Sequence, residues 1–239
     1  MQSPAVRMGL SIAVATGLYG VSFGALGVAA GLGVWQTVAL SLLMFTGGSQ
    51  FAFIGVVAGG GAGPAAFGAA TLLGVRNAVY GMQMNQMLRP RGWRKWAAAQ
   101  VTIDESAATA AGQVDADEQR RGFWAAGVGV FVLWNVFTLV GALLGDALGD
   151  PRRWGLDGAA VAAFLGLLWP RLRQREPVAL AVVCALVTVL ALPVVPSGIP
   201  ILIAALVAAL WGWFSRGPAD EGLEPDVDPV ELATRREQH

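Results

Sequence analysis

Three runs decide how this chain folds: MGLSIAVATGLYGVSFGALGVAA (Met8–Ala30), VWQTVALSLLMFTGGSQFAFIGVVA (Val34–Ala58) and PAAFGAATLLGVRNAVYGMQMNQML (Pro64–Leu88). Across them a single side chain is charged, Arg76, and the first acid of the chain is Asp104. A soluble domain keeps charge on its surface. A chain in a bilayer minimises it, because an ionisable group there is costly and by default functional. The pattern predicts an all-α, polytopic membrane helix bundle, with Arg76 as its first functional candidate. Barrel strands are excluded by run length, since they need only about 9–11 alternating residues.

Further apolar runs cover Gly122–Gly145, Gly155–Trp169, Pro177–Val195 and Ile199–Phe214. At roughly 20 residues per helix this predicts about seven spans, in one transmembrane domain over residues 1–215. The first run is too long for the apolar core of a signal peptide, and more spans follow it. Most tryptophans fall near predicted ends, as amphipathic indoles do at the headgroup level; Trp134 alone lies deep inside a run. Two loops are basic, one with Arg89, Arg91, Arg94 and Lys95, the other with Arg171, Arg173 and Arg175. The positive-inside rule puts both in the cytoplasm of an inner or plasma membrane protein. Seven spans then place the N-terminus outside and the C-terminus inside. The polar segment Trp96–Gln113 would be re-entrant or interfacial. Residues 216–239, with Asp220, Glu221, Glu224, Asp226, Asp228 and Glu231 interspersed with Pro218, Pro225 and Pro229, read as a disordered cytoplasmic tail.

Composition removes several functions. The chain is 55% hydrophobic and 13% charged, with mean hydropathy +0.58, where soluble chains carry roughly 25% charged residues. Net charge is zero, which gives no basis for nucleic-acid binding. Cys184 is the one cysteine and His239 the one histidine, so cysteine and histidine metal sites and the histidine-dependent nucleophile systems are not expected. No phosphate-binding loop of the Gly-x-x-x-x-Gly-Lys-Ser/Thr type is present, so ATP hydrolysis is not expected and no cofactor is implied.

Within the runs, Gly17, Gly20, Gly24, Gly27 and Gly31 share one helix face and predict close helix packing; Gly141 and Gly145 repeat the device. Gly47-Gly48-Ser49-Gln50 should break the second run. Unwound backbone beside hydroxyl and amide groups is either a packing kink or a solute site. Arg76, Asn77 and Tyr80 form a polar stripe with Gln83 and Asn85. The Arg76 fork suits a carboxylate, from the protein or from a substrate. Asp104 and Glu105 could pair with Arg76, hold an ammonium or carry a coupling proton; a solvated helix face is the plainer reading. Asn135, mid-span, is expected to hydrogen-bond between helices.

Gly47-Gly48-Ser49-Gln50-Phe51, Arg76-Asn77-Ala78-Val79-Tyr80-Gly81, Asp104-Glu105 and Gly155-Leu156-Asp157 follow in an order that resembles the AzlC-like large subunits of branched-chain amino-acid exporters. The resemblance covers roughly Val6 to Phe214. Members often carry histidine where this chain has Asn77, so any proton relay through that position must run otherwise here. The resemblance implies a membrane exporter of small apolar amino acids, working with a small AzlD-like membrane subunit. On this reading the ion gradient, most plausibly of protons, drives secondary transport. Gly47, Gly48, Ser49, Gln50, Arg76, Asn77 and Tyr80 would bind substrate. Asp104 or Glu105 would couple protons, and Phe23, Phe45, Phe51, Phe53 and Met44 would line an apolar cavity. A lipid-modifying membrane enzyme and a non-catalytic scaffold are the alternatives.

Overall fold

The structure, a computed structural model, describes residues 3–148, 165, 168–169, 172–196 and 199–215. The expected fifth span, Gly155–Trp169, falls almost wholly outside these residues, and the tail 216–239 wholly. The described residues are helical and contain no strand: α1 (Pro4–Ala29), α2 (Val34–Leu43), α3 (Gly47–Ala58), α4 (Gly63–Leu88), α5 (Trp93–Gln100), α6 (Asp104–Ala111), α7 (Ala116–Leu148), α8 (Arg175–Ala191) and α9 (Ile199–Phe214). Among them, α1 and α7 are long and apolar enough to cross a membrane. α4 matches α1 in length, at 26 residues, but its polar stripe lowers its hydropathy.

α1 and α7 lie side by side and parallel, in a register that advances step for step. A Cβ at Gly9 would stand 2.8 Å from the Ala126 nitrogen, one at Gly17 2.5 Å from the Leu133 Cβ, and one at Gly20 2.6 Å from the Trp134 carbonyl oxygen. A Cβ at Gly24 would collide with the Thr138 carbonyl, and one at Gly141 with the Val21 carbonyl. Gly145 meets Ala25. Glycine is used here because two backbones occupy the space that side chains would need. The expected glycine face is therefore a packing seam through Gly24, while Gly27 turns to Thr37 of α2. Gly31 departs from the expectation: it lies past the end of α1, at φ +95° in open space, and makes the turn into α2. Ser3 and the Ala5 N–H both donate to Glu118, which closes the seam at its N-terminal end.

The run 34–58 does not continue through the bundle. α2 starts beside Gly27, near the C-terminal ends of α1 and α7, and descends to mid-height, where Ser41 meets Thr138 and Phe45 meets Phe131. The chain then breaks at Met44–Thr46, and α3 climbs back. Its pairing with α4 shows the direction: Gly48 faces Arg76, Ser49 faces Gly74, and Ala52 and Val56 pack with Ala66 and Ala69. α4 then runs down to Leu88, which shares a cleft with Arg120 and Trp124 at the N-terminal end of α7. From that end α5 rises until Val101 touches Gly127, the chain breaks at Val101–Ile103, and α6 returns until Thr109 touches Gly122. Two hairpins of half-helices thus enter from opposite ends and meet tip to tip, where the Gln100 amide donates to the Leu42 carbonyl at 2.8 Å.

This corrects two expectations. The segment around Trp96–Gln113 folds as two short helices that turn back on themselves, and so does Val34–Ala58, for which the hydropathy leads one to expect a span. One hydrophobic run long enough to cross serves equally as two half-helices, and only tertiary pairing distinguishes the cases. The N-terminus and the loop after α4 also lie at the same end, not at opposite ends. That end collects Arg7, Arg89, Arg91, Arg94, Lys95, Arg120 and Arg121, while the opposite turns, 30–33 and 59–62, carry no charge.

Single cysteines at the exposed positions Arg7 and Arg91, in a Cys184→Ser background, should both be shielded from an impermeant thiol reagent added outside intact cells and labelled after permeabilisation. Opposite behaviour of the two would refute the shared end. Gly24→Ala should lower the melting temperature of the detergent-solubilised protein, at a cost of about 1–3 kcal/mol from overpacking. Gly55→Ala, which meets open space, is the control and should leave it within error.

Candidate functional site

At the meeting point of the hairpins two helix N-termini lie inside the bundle. A helix start leaves its first backbone N–H groups unpaired and carries roughly half a positive charge. α3 starts at Gly47 after Thr46, whose backbone is extended (φ −158°, ψ 108°) and whose side chain makes no capping bond. Gly47 and Gly48 were expected to unwind the chain. They are instead the first turn of α3, and the break falls just before them. Their small size matters more than their flexibility: a Cβ at Gly48 would stand 3.0 Å from Arg76 Nη2, so glycine lets the guanidinium lie against the first turn of α3.

Arg76 reaches this level from α4 and its Nη1 lies 2.8 Å from the Asp104 carboxylate, with both side chains 36% exposed. Asp104 opens α6, where its charge complements that helix end. Glu105 lies beside Thr16 of α1 and within electrostatic reach of Arg76 and Asp104. Several buried polar atoms here have no hydrogen-bond partner: Ser49 Oγ, Arg76 Nε, Asn77 Oδ1 and Asp104 Oδ1. A buried, unpaired polar atom costs about 1–3 kcal/mol, and four of them lie at this level. A cleft of about 290 Å³ opens between the α2–α3 break and α4, lined by Met44, Thr46, Ser49, Ala70, Thr71, Gly74 and Val75. That volume lies at the lower edge of the roughly 300–1,000 Å³ typical of small-molecule sites.

The structure brings Gly47, Gly48, Ser49, Arg76, Asn77, Asp104 and Glu105 to one level. Gln50 and Tyr80 stand apart from the cleft. Gln50 is fully buried, and its amide donates to the Met44 carbonyl at 2.8 Å and the Ser41 carbonyl at 3.3 Å while its oxygen accepts from Trp134 Nε1 at 2.9 Å. It satisfies the carbonyls freed at the end of α2 and ties the break to α7. Tyr80 packs against the cluster of Met84, Leu88, Ala98 and Phe123. The aromatic residues expected to line a cavity are instead core: Phe23, Phe45 and Phe51 are buried, and Tyr19, Phe23 and Phe51 pack around Trp134. Apolar side chains that face one another close up when nothing polar holds them apart. Asn135, expected to bridge helices, donates to Phe131 of its own helix.

Sequence reading passed over Ser106, which does for the second break what Gln50 does for the first. Its hydroxyl accepts from the Ile103 N–H at 3.0 Å and donates to the Val101 carbonyl at 2.7 Å. A serine three residues into a helix carries no mark of this. Trp134 did carry one, as the single tryptophan remote from a predicted helix end.

Among the described residues no group of three or more histidine, cysteine or acidic side chains could hold a metal ion. The described residues thus form a helical bundle with two opposed half-helix hairpins, an Arg76–Asp104 ion pair between them and an adjoining cleft. The profile of the AzlC protein family matches residues 11–148, more than half of the chain. The chain belongs to that family, a transporter-type membrane family associated with branched-chain amino-acid transport. The match ends where α7 ends, so it covers both hairpins and the centre between them. No curated protein and no solved structure matches the chain significantly.

The Gln50–Trp134 bond is open to a double-mutant cycle. Gln50→Leu and Trp134→Phe should each lower the melting temperature in detergent, each leaving the other's polar atom buried and unpaired at about 1–3 kcal/mol. The double variant should lose clearly less than the two losses added. Strict additivity would remove the bond from the account of the break.

Proposed function

We propose that the chain is a multi-pass secondary transporter of the cell membrane that exports branched-chain or similar apolar amino acids, coupled to protons and partnered by a small AzlD-like subunit. The observation that carries this reading is Arg76, set against the uncapped start of α3 and paired with a carboxylate that opens the facing half-helix. The site offers an entering anion donors fixed in advance, the N–H groups at the start of α3 and the Arg76 guanidinium, which Asp104 shares.

A zwitterionic amino acid fits such a centre. Its carboxylate would take the N–H groups of Gly47, Gly48 and Ser49 and one edge of the Arg76 fork, with the Ser49 hydroxyl free to join. Its apolar side chain would lie along Met44, Ala70 and Val75 in the cleft. Its ammonium would turn to Asp104 or Glu105. Gln50 takes a positioning part, holding the break in shape, and Asn77 lines the same level. Substrate carboxylate and Asp104 compete for one guanidinium. When the substrate takes Arg76, Asp104 loses its partner and binds either the ammonium or a proton. When the substrate leaves, the ion pair reforms and the proton is released. That exchange ties solute movement to proton movement without ATP. The family membership supports transport and the branched-chain substrate class; outward direction, the coupling ion and the partner subunit are parts of the proposal.

Uptake and counterflow of labelled leucine in proteoliposomes test it. Arg76→Lys keeps the charge but loses the fork and should cut transport on the order of tenfold or more at normal expression. Asp104→Asn with Glu105→Gln should abolish accumulation driven by a pH gradient. Normal transport by Arg76→Ala, or pH-driven accumulation by the double variant, would overturn the assignment.

A further inference from the structure

The end of the bundle that gathers the arginines holds a second cleft, about 580 Å³, lined by Leu88, Arg89, Pro90, Arg91, Trp93, Arg94, Ala98, Arg120 and Trp124. It plays no part in the centre at Arg76, which lies about three turns up α4. Among the described residues, Arg89, Arg91 and Arg94 have no carboxylate partner; only Arg120 has one, Asp117 at 3.5 Å. Four arginines therefore line one cleft, and of these only Arg120 is ion-paired.

The shape of the site is fixed by the fold. Arg89 adopts a left-handed conformation (φ +46°) at the end of α4 and Gly92 another (φ +58°) before α5, so the loop turns tightly. Leu88 and Ala98 form a buried apolar floor. Trp93 is 74% and Trp96 81% exposed on the adjoining rim, and the Arg94 guanidinium lies 6.0 Å from the Trp93 ring centre. Exposed indoles beside arginines at the end of a membrane bundle are placed for the headgroup layer, where the ring is half in hydrocarbon and half in water.

We infer that this cleft binds the phosphate of an anionic phospholipid headgroup. Arg91 and Arg94 clamp the phosphate oxygens, Arg89 and Arg120 supply the surrounding positive field, and Trp93 and Trp124 hold the glycerol and upper acyl segment against Leu88. The apolar floor and tryptophan rim favour a lipid over a free phosphate or over the acidic segment 216–239, which offers carboxylates but no acyl chain.

Native mass spectrometry and titration of the full-length protein in neutral detergent test this, with phosphatidylglycerol and phosphatidylcholine as probes. Wild type should retain phosphatidylglycerol in preference to phosphatidylcholine. Arg91→Gln with Arg94→Gln, both exposed and outside the core, should weaken phosphatidylglycerol by on the order of tenfold or more, while the melting temperature without lipid stays unchanged. Equal retention of the two lipids, or undiminished binding by the double variant, overturns the inference. So does displacement of phosphatidylglycerol by inorganic phosphate at similar concentrations, which would make the site one for a soluble anion. So too does phosphatidylglycerol binding that appears only once the acids between Asp220 and Glu231 are neutralised by Asn and Gln, which would make the tail the occupant.

Discussion

Everything else in the bundle is hung on the backbone-to-backbone approach of α1 and α7. In a membrane the hydrophobic effect gives two apolar helices no reason to associate, and association comes from close packing. Gly9, Gly17, Gly20 and Gly24 on one helix and Gly129, Gly141 and Gly145 on the other remove the side chains that would hold the axes apart. The seam fixes a parallel pair and its register. That register sets the height at which Ser41 finds Thr138, Gln50 finds Trp134, and Val101 finds Gly127. Both hairpin tips are thereby held at one level.

Breaking two helices at that level has an energetic consequence. Backbone groups freed in an apolar interior cost several kcal/mol each unless satisfied. The freed carbonyls are satisfied by buried side chains, Gln50 for one break and Ser106 for the other. The freed N–H groups at the start of α3 are not capped by a side chain. The first break is thus closed on its carbonyl side and left open on its donor side, while at the second Ser106 also accepts from the Ile103 N–H. With Arg76 added, the open side demands anions, and Asp104 supplies one that can be exchanged.

Much of this was legible beforehand, but unevenly. The scarcity of charge, with Arg76 alone between Met8 and Leu88, marked the class of protein and made Arg76 and Asp104 stand out, and the glycine spacing marked the seam. Gln50 and Tyr80 were misplaced relative to the cleft for one reason. Sequence shows that a side chain can hydrogen-bond or lie on a polar stripe, but not whether a partner within its own fold has already taken that capacity. Trp134 had taken it for Gln50, and the lower core covered Tyr80.

The sequence by itself determined helix against strand, the packing role of the glycines and the scarcity of charge that singles out Arg76, because these depend on composition and on a 3.6-residue period. Only the tertiary structure decided that Val34–Ala58 folds back, that the N-terminus and the basic loop share an end, and that two helix starts face one arginine. A run of 25 apolar residues has the same hydropathy whether it crosses once or turns at mid-depth. What selects the turn is the set of partners at that depth, Thr138, Trp134 and Arg76, and these come from helices distant in the chain.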